Sequence, residues 1–329
     1  LREVLDDDVD QRGSLVSFDK LRFDFTAKKG LNAKQLSSVE DKVNDVISKK
    51  LEGYDRVVPL EDAKSISGVR AVFGEFYPDP VRVISVGSNI EEMLANPKND
   101  EWVESSVEFC GGTHLTNTAE AEDFVVVEET AVAKGIRRIV AVTRGVAAQC
   151  RVDGAELEQR VTTCESLNVG EDLEKMDADA GGIRKDLDSS YISAPLKTKL
   201  RARLEGLQKK IVETKKANAG QKLNKVLTIV REEVVGKSVC VMRFNGIEAK
   251  GAQKIAETAK KANPDCCVFG IIEPEVGETK IMAFTSVPEG KTESLGADKW
   301  LKDVLGKFGG RGGGKAGFAQ GQCDGVDLD

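Results

Sequence analysis

Histidine is almost absent from this sequence: His114 is the only one among 329 residues. A site built within the chain on several imidazoles is thereby excluded, and a metal held here would draw its other ligands from cysteine, carboxylate or water. Aromatic residues make up only 5% of the chain, and no apolar run approaches the roughly 20 residues of a membrane span, so no membrane partner is expected. Seven cysteines, an odd number with only Cys266 and Cys267 close together, do not form a disulfide framework. A reducing compartment, the cytoplasm, is the expectation. Methionine is absent from the first position, and LREVLDDDVDQRGSLV has the form of neither a signal nor a transit segment. The chain reads as a fragment.

What is present is ordinary in bulk and uneven in distribution. A hydrophobic fraction of 40% beside 31% charged residues describes a globular chain, long enough for two domains and a connector. The net charge of −7 excludes a chain basic throughout, of the kind that grips DNA along its length. Between Asp153 and Asp188 acidic residues outnumber basic ones eleven to four, whereas from Lys197 to Lys216 basic residues lead eight to two.

The first 145 residues read as α+β. Strands are predicted at Leu21 to Thr26, Val81 to Gly87, Ser105 to Cys110, Phe124 to Glu129 and Ile136 to Thr143. Between them, Leu36, Val39, Val43, Val46 and Ile47 fall at helical spacing from Asn32 to Leu51, with Asn32 as cap. Residues 146–220 read as a helical connector. Leu157, Val161, Cys164 and Leu167, then Leu196, Leu200, Leu204, Leu207 and Ile211, recur at threes and fours, and Ser193-Ala194-Pro195 separates the acidic arm from the basic one. A helical hairpin with complementary charge across its seam is expected, against the plainer alternative of two solvated faces. Residues 221–329 read as a smaller α/β domain. Strands are predicted at Ser238 to Phe244, Cys267 to Glu273 and Thr279 to Val287, and helices at about Glu248 to Ala262 and Ala297 to Phe308. The strand, helix, strand order predicts a parallel crossover unit. A glycine-rich loop, Gly309 to Gln322, follows.

The sharpest chemical signal is Cys110-Gly111-Gly112-Thr113-His114, a thiol and an imidazole around a Gly-Gly turn after a strand. Cys110 and His114 can supply two of the four tetrahedral positions of zinc. The remaining cysteines lie on the connector or in the last domain, and none is an obvious further ligand. Arg137 and Arg138 sit in an otherwise apolar strand, where the period of two turns one inward and leaves the other able to reach phosphate. Arg22 and Asp24 share a strand face and can pair. Gly309, Gly314 and Lys315 match the spacing of a nucleotide phosphate loop, but Ala316 stands where a hydroxyl must meet magnesium, and a helix precedes the glycines. Arg311 and Lys315, with the open backbone of Gly312, Gly313 and Gly314, remain candidates for phosphate contact.

QRGSLVSFDKLRFDFT (Gln11 to Thr26), SVEFCGGTHLTNT (Ser106 to Thr118) and KGIRRIVAVT (Lys134 to Thr143) resemble, in order and spacing, the editing domain of alanyl-tRNA synthetases of eukaryotic type. The resemblance covers nearly all of residues 1–145. The glycine-rich segment resembles the loop of the C-terminal domain of the same family, which normally continues into another helix. The resemblance implies hydrolysis of seryl- or glycyl-tRNA(Ala), zinc as cofactor, tRNA(Ala) as partner and a homodimer as a further option. Gln11 would be the pocket glutamine, an amide suited to orient water or an amino group, and Thr113 would add a hydroxyl beside Cys110. In the family a His-x-x-x-His pair completes the zinc site from upstream. LREVL resembles the helix just after that pair, so weak zinc binding is the expectation for this chain. Ligation of alanine, with its ATP chemistry, would belong to another part of such a protein. A non-catalytic nucleic-acid-binding or dimerising module, or a free-standing trans-editing factor, is the rival reading.

Overall fold

Alternation along the first 143 residues becomes two antiparallel sheets in the computed structural model, which describes residues 1–5, 9–71, 76–273 and 280–324. The chain divides into two units, 1–208 and 209–329. Its order is α1 (Arg2–Leu5), β1 (Gln11–Val16), β2 (Leu21–Thr26), α2 (Ala33–Ser48), β3 (Gly53–Val58), α3 (Leu60–Ser65), β4 (Val81–Val86), α4 (Ile90–Ala95), β5 (Ser106–Phe109), β6 (Phe124–Ala133), β7 (Ile136–Thr143), α5 (Arg144–Glu165), α6 (Leu173–Ser189) and α7 (Ala194–Glu233), the last shared between the units.

One sheet has the order β1-β2-β7-β6, the other β3-β4-β5. Strands β1 and β3 carry no clean alternation, because Gly13, Ser14, Gly53 and Asp55 interrupt it, and only pairing with β2 and β4 defines them. Asn32 caps α2 as its side chain predicts, in a capping box with Gln35, and Leu36, Val39 and Ile47 bury against Phe25, Val126, Ile139 and Ala141. Each such side chain contributes about 1.5 to 3 kcal/mol when fully buried. Glu40, on the same helix, is buried at 5% exposure and fully engaged. It accepts from Val126 N (3.0 Å), Arg151 Nη1 (2.8 Å) and Ser193 Oγ (3.3 Å), joining α2, β6, α5 and the turn before α7.

The connector is three helices rather than a hairpin of two arms. Asn168 and Asp172 break the acidic stretch, since their side chains bind Gly170 N and Asn168 N and so compete with helical bonds. Leu157, Val161, Met176, Ile183, Leu187, Leu200 and Leu204 are buried along the helices. Complementary charge does meet here: Arg203 pairs with Glu165 (2.6 Å), Lys199 with Glu158 (2.9 Å), Arg201 with Asp188 (2.8 Å) and Arg160 with Asp186 (2.6 Å). Exposed pairs contribute about 0 to 1 kcal/mol each, so the apolar residues hold the helices together.

The second unit continues α7 into β8 (Val239–Asn245), α8 (Gly251–Ala262), β9 (Cys267–Glu273), β10 (Lys280–Ser286), α9 (Ala297–Gly306), β11 (Arg311–Lys315) and β12 (Phe318–Asp324). The expected parallel pair is β8 with β9, joined through α8. Thr279, the expected start of the next strand, lies outside the described residues, as do residues 325–329. The sheet order is β11-β12-β10-β9-β8.

The glycine-rich segment is a β-hairpin, which corrects the expected loop. A Cβ at Gly312 would lie 2.9 Å from the Leu301 side chain, and one at Gly321 would lie 2.6 Å from that of Leu305. Those glycines let α9 lie close on β11 and β12, and the backbone expected to face phosphate is spent in part on the ladder with β12.

Candidate active and metal-binding site

Strand β5 sits beside β4, and period-two alternation decides which of its residues reach a site. Val107 and Phe109 turn into the core, at 0% and 8% exposure, so Glu108 and the residue that follows the strand, Cys110, lie together on the opposite face. The chain then turns through Gly111 and Gly112 and brings back His114. One ligand atom from each of Glu108, Cys110 and His114 falls within 4.8 Å of the others. Sequence reading placed Cys110 and His114 and missed Glu108, although Val107 and Phe109 as inward residues already put it beside the thiol.

The loop is fastened at both ends. At its start Cys110 N donates to Arg82 O (3.3 Å), which carries the ladder one step past β5. On its other side β5 is bracketed by Arg70, whose N–H donates to Val107 O and whose carbonyl accepts from Phe109 N. At the loop's end Gly53 N donates to Thr116 O (2.8 Å), and the Glu120 carboxylate accepts from Thr116 N, Thr116 Oγ1 and Asn117 N. The hydrogen bond from Thr116 is the leading cause holding the Glu120 carboxyl below the usual range. Gly53 is required at its position, where a Cβ would lie 2.6 Å from Leu115 O. In the middle, Arg82 Nη1 donates to Gly112 O (2.5 Å) and Arg82 Nε to Asp55 Oδ2 (3.0 Å).

As ligands the three residues form a workable set. Thiolate, imidazole and carboxylate are all zinc donors. Atoms sharing one zinc stand roughly 3.5 Å apart, so a set within 4.8 Å would have to draw in by up to about an ångström around an ion. Of the seven cysteines, Cys110 is the one not buried.

The other expected residues fall on the same loop, on the other sheet of the first unit and in the second unit. Thr113 is exposed on the same loop. Gln11 begins β1, the edge strand of the other sheet, and its Nε2 donates to Ser14 Oγ (3.0 Å). Arg137 and Arg138 are both committed to carboxylates: Arg137 makes two bonds to Glu129 (2.5 and 2.6 Å), and Arg138 two to Asp24 (2.6 and 2.7 Å). The Arg138 hydrogen bond holds the Asp24 carboxyl below its ordinary range, while Arg22 Nε stands 3.7 Å away. Asp24 therefore serves Arg138 first. A cavity of about 550 Å³ lies elsewhere in the first unit, bordered by Lys34, Glu40, Arg151, Ser193 and Lys199.

In the second unit, β11 and β12 have two unlike faces. Gly312, Gly314, Ala319 and Gly321 lie on the face toward α9, whereas Arg311, Lys315, Gln320 and Gln322 lie on the other and are exposed. No described helix is long and apolar enough to cross a membrane.

Residues 81–140, which contain β4, β5 and the Cys110 to His114 loop, match the family model described as the threonyl and alanyl tRNA synthetase second additional domain. Alanine-tRNA ligase of Candida albicans is 36% identical over 98% of this chain and 33% of its own length. The cytoplasmic alanine-tRNA ligase of Dictyostelium discoideum is 37% identical over 98% of this chain and 34% of its own length. The mitochondrial alanine-tRNA ligase of Saccharomyces cerevisiae reaches 59% identity over 44% of this chain and 14% of its own length. Among solved structures, the C-Ala domain of Aquifex aeolicus alanyl-tRNA synthetase is 21% identical with a TM-score of 0.25, covering 27% of this chain and 78% of that one. The chain spans about a third of the length of the curated relatives it matches. Along nearly all of its residues the chain is similar to a portion of the alanine-tRNA ligases, and residues 81–140 match the additional domain described for threonyl and alanyl tRNA synthetases.

Proposed function

We propose that this chain carries the editing function of an alanine-tRNA ligase, hydrolysing the ester of a mischarged seryl- or glycyl-tRNA(Ala) at the Glu108, Cys110 and His114 cluster. The observation that carries the reading is the convergence of those three donors from the end of β5 and the loop that follows it, within the matched segment. They would hold zinc, with Glu108 as a third ligand in addition to the two read from sequence. A zinc ion held there supplies Lewis-acid polarisation of the ester or of a nearby water. The chain's own part is positioning. Gly111 and Gly112 leave backbone uncovered where the terminal ribose must approach, and the Thr113 hydroxyl stands on the same loop. Gln11 would bring an amide acceptor to the amino group or the water. Water adds to the ester carbonyl carbon, the carbon–oxygen bond to the ribose breaks, and the ribose oxygen takes a proton.

Selectivity between serine and alanine decides whether the site edits or merely hydrolyses. Seryl-tRNA(Ala) and alanyl-tRNA(Ala) are incubated with the chain and the remaining ester is counted. Serine is expected to be released at least about tenfold faster, the discrimination a hydrogen-bonded hydroxyl supports. Equal rates would remove editing in favour of a binding module.

The second unit would hold tRNA through Arg311, Lys315, Gln320 and Gln322 on the open face of β11 and β12, beside the sheet edge. Neutralising about two phosphates predicts that replacing Arg311 and Lys315 together with alanine weakens tRNA binding and flattens the slope of log affinity against log salt by up to about 2. An unchanged slope in a salt titration would remove this face from the interface. The cytoplasm is the compartment proposed, in keeping with the Dictyostelium relative.

A further inference from the structure

Sheet register places Arg82 next to the cluster. Val83 pairs with Phe109, and the bond from Cys110 N to Arg82 O extends that ladder, so Arg82 stands across from Cys110 on the same face as the thiol. Its side chain is 30% exposed, and two of its guanidinium nitrogens are engaged. Nε is taken by Asp55 on β3 (3.0 Å) and Nη1 by the carbonyl of Gly112 (2.5 Å), which makes one rigid fork between the sheet and the middle of the turn. Gly112 is itself close to the thiol, for a Cβ there would lie 3.5 Å from Cys110 Sγ. A Gly-Gly turn has more conformational freedom than any other dipeptide, and among the described bonds the one from Arg82 is what fixes its carbonyl.

We propose that Arg82, braced by Asp55, is a positioning residue: it clamps the Gly112 carbonyl so that the Cys110 thiol and the His114 imidazole stay within reach of one another. The consequence for metal binding rests on the zinc reading above. The clamp itself does not. A turn held from the sheet is already arranged before any ligand arrives, and such outer partners commonly command about 10- to 100-fold in metal affinity.

The test compares the full chain with Arg82→Ala, Arg82→Lys and Asp55→Asn, after unfolding curves confirm that each variant is folded. Cys110 is alkylated with iodoacetamide in metal-free buffer near pH 10.5, about two units above the ordinary thiol pKa, so that thiolate charge is equal in all variants. Zinc affinity is then measured by chelator competition. For Arg82→Ala the expected results are several-fold faster alkylation and about tenfold weaker zinc binding. Arg82→Lys, which can donate to Gly112 but cannot also reach as a fork to Asp55, should restore part of both. Unchanged alkylation in Arg82→Ala overturns the clamp. If the parent chain binds no zinc yet the alkylation difference stands, the zinc reading fails and the clamp is upheld.

Discussion

Replacing Gly270 with alanine is expected to destabilise the second unit by about 3 kcal/mol, the upper part of the range for overpacking a core. Gly270 lies in β9 opposite Phe284 of β10, and a Cβ on it would fall 2.1 and 2.2 Å from two ring carbons of that phenylalanine. The ring has no way to retreat. Phe284 is fully buried, stacked on Phe244 at 6.1 Å and tilted against Phe318 at 6.3 Å. One methyl group therefore displaces three aromatic rings or parts two neighbouring strands. Denaturant unfolding of the parent and Gly270→Ala measures the loss. The double variant Gly270→Ala with Phe284→Leu should recover part of it, since neighbours in contact are not additive. A loss below about 1 kcal/mol would show that the ring moves freely and that this core is looser than its packing implies.

Cys110→Ala and His114→Ala should each lower zinc affinity by at least about 100-fold, beyond what outer partners command, and hydrolysis of seryl-tRNA(Ala) should fall with it. Three ligands leave no redundancy. Glu108→Gln keeps the shape of the side chain and removes its charge, and is expected to cost about tenfold, because an amide oxygen is a weaker donor than a carboxylate. Chelator competition and single-turnover hydrolysis on the same preparations check both. A Glu108→Gln chain with parental affinity would reduce the set to two donors, and the weak binding expected from sequence would then hold.

The parts of the fold legible in sequence were those whose pattern is local. β2 alternates apolar and polar residues, β7 is largely apolar, and α2 has both a cap and an apolar stripe, so each is written in its own residues. β1 and β3 are strands because β2 and β4 pair with them, and that information is not local. The connector looked like one hairpin because heptad-like spacing says little about where Asn168 and Asp172 will stop a helix. The glycines of β11 looked like a loop because small residues serve both open turns and close packing, and only Leu301 and Leu305 above them decide which. In the site, Cys110 and His114 were visible as a motif, whereas Glu108 needed the face of a strand and Arg82 needed the register of a neighbouring one. One of Arg137 and Arg138 was expected to reach phosphate, and neither pairing was legible because Glu129 and Asp24 come to them from adjacent strands.

The central claim is that Glu108, Cys110 and His114 hold a zinc ion on which ester hydrolysis depends. Its most direct measurement follows seryl-tRNA(Ala) hydrolysis by the unaltered chain after removal of metal with a chelator, and again after zinc is returned at one equivalent. The account predicts that hydrolysis is lost on removal, returns with about one zinc bound per chain, and does not return in Cys110→Ala. Hydrolysis that persists in the chelated chain, or that returns equally in Cys110→Ala, would contradict it.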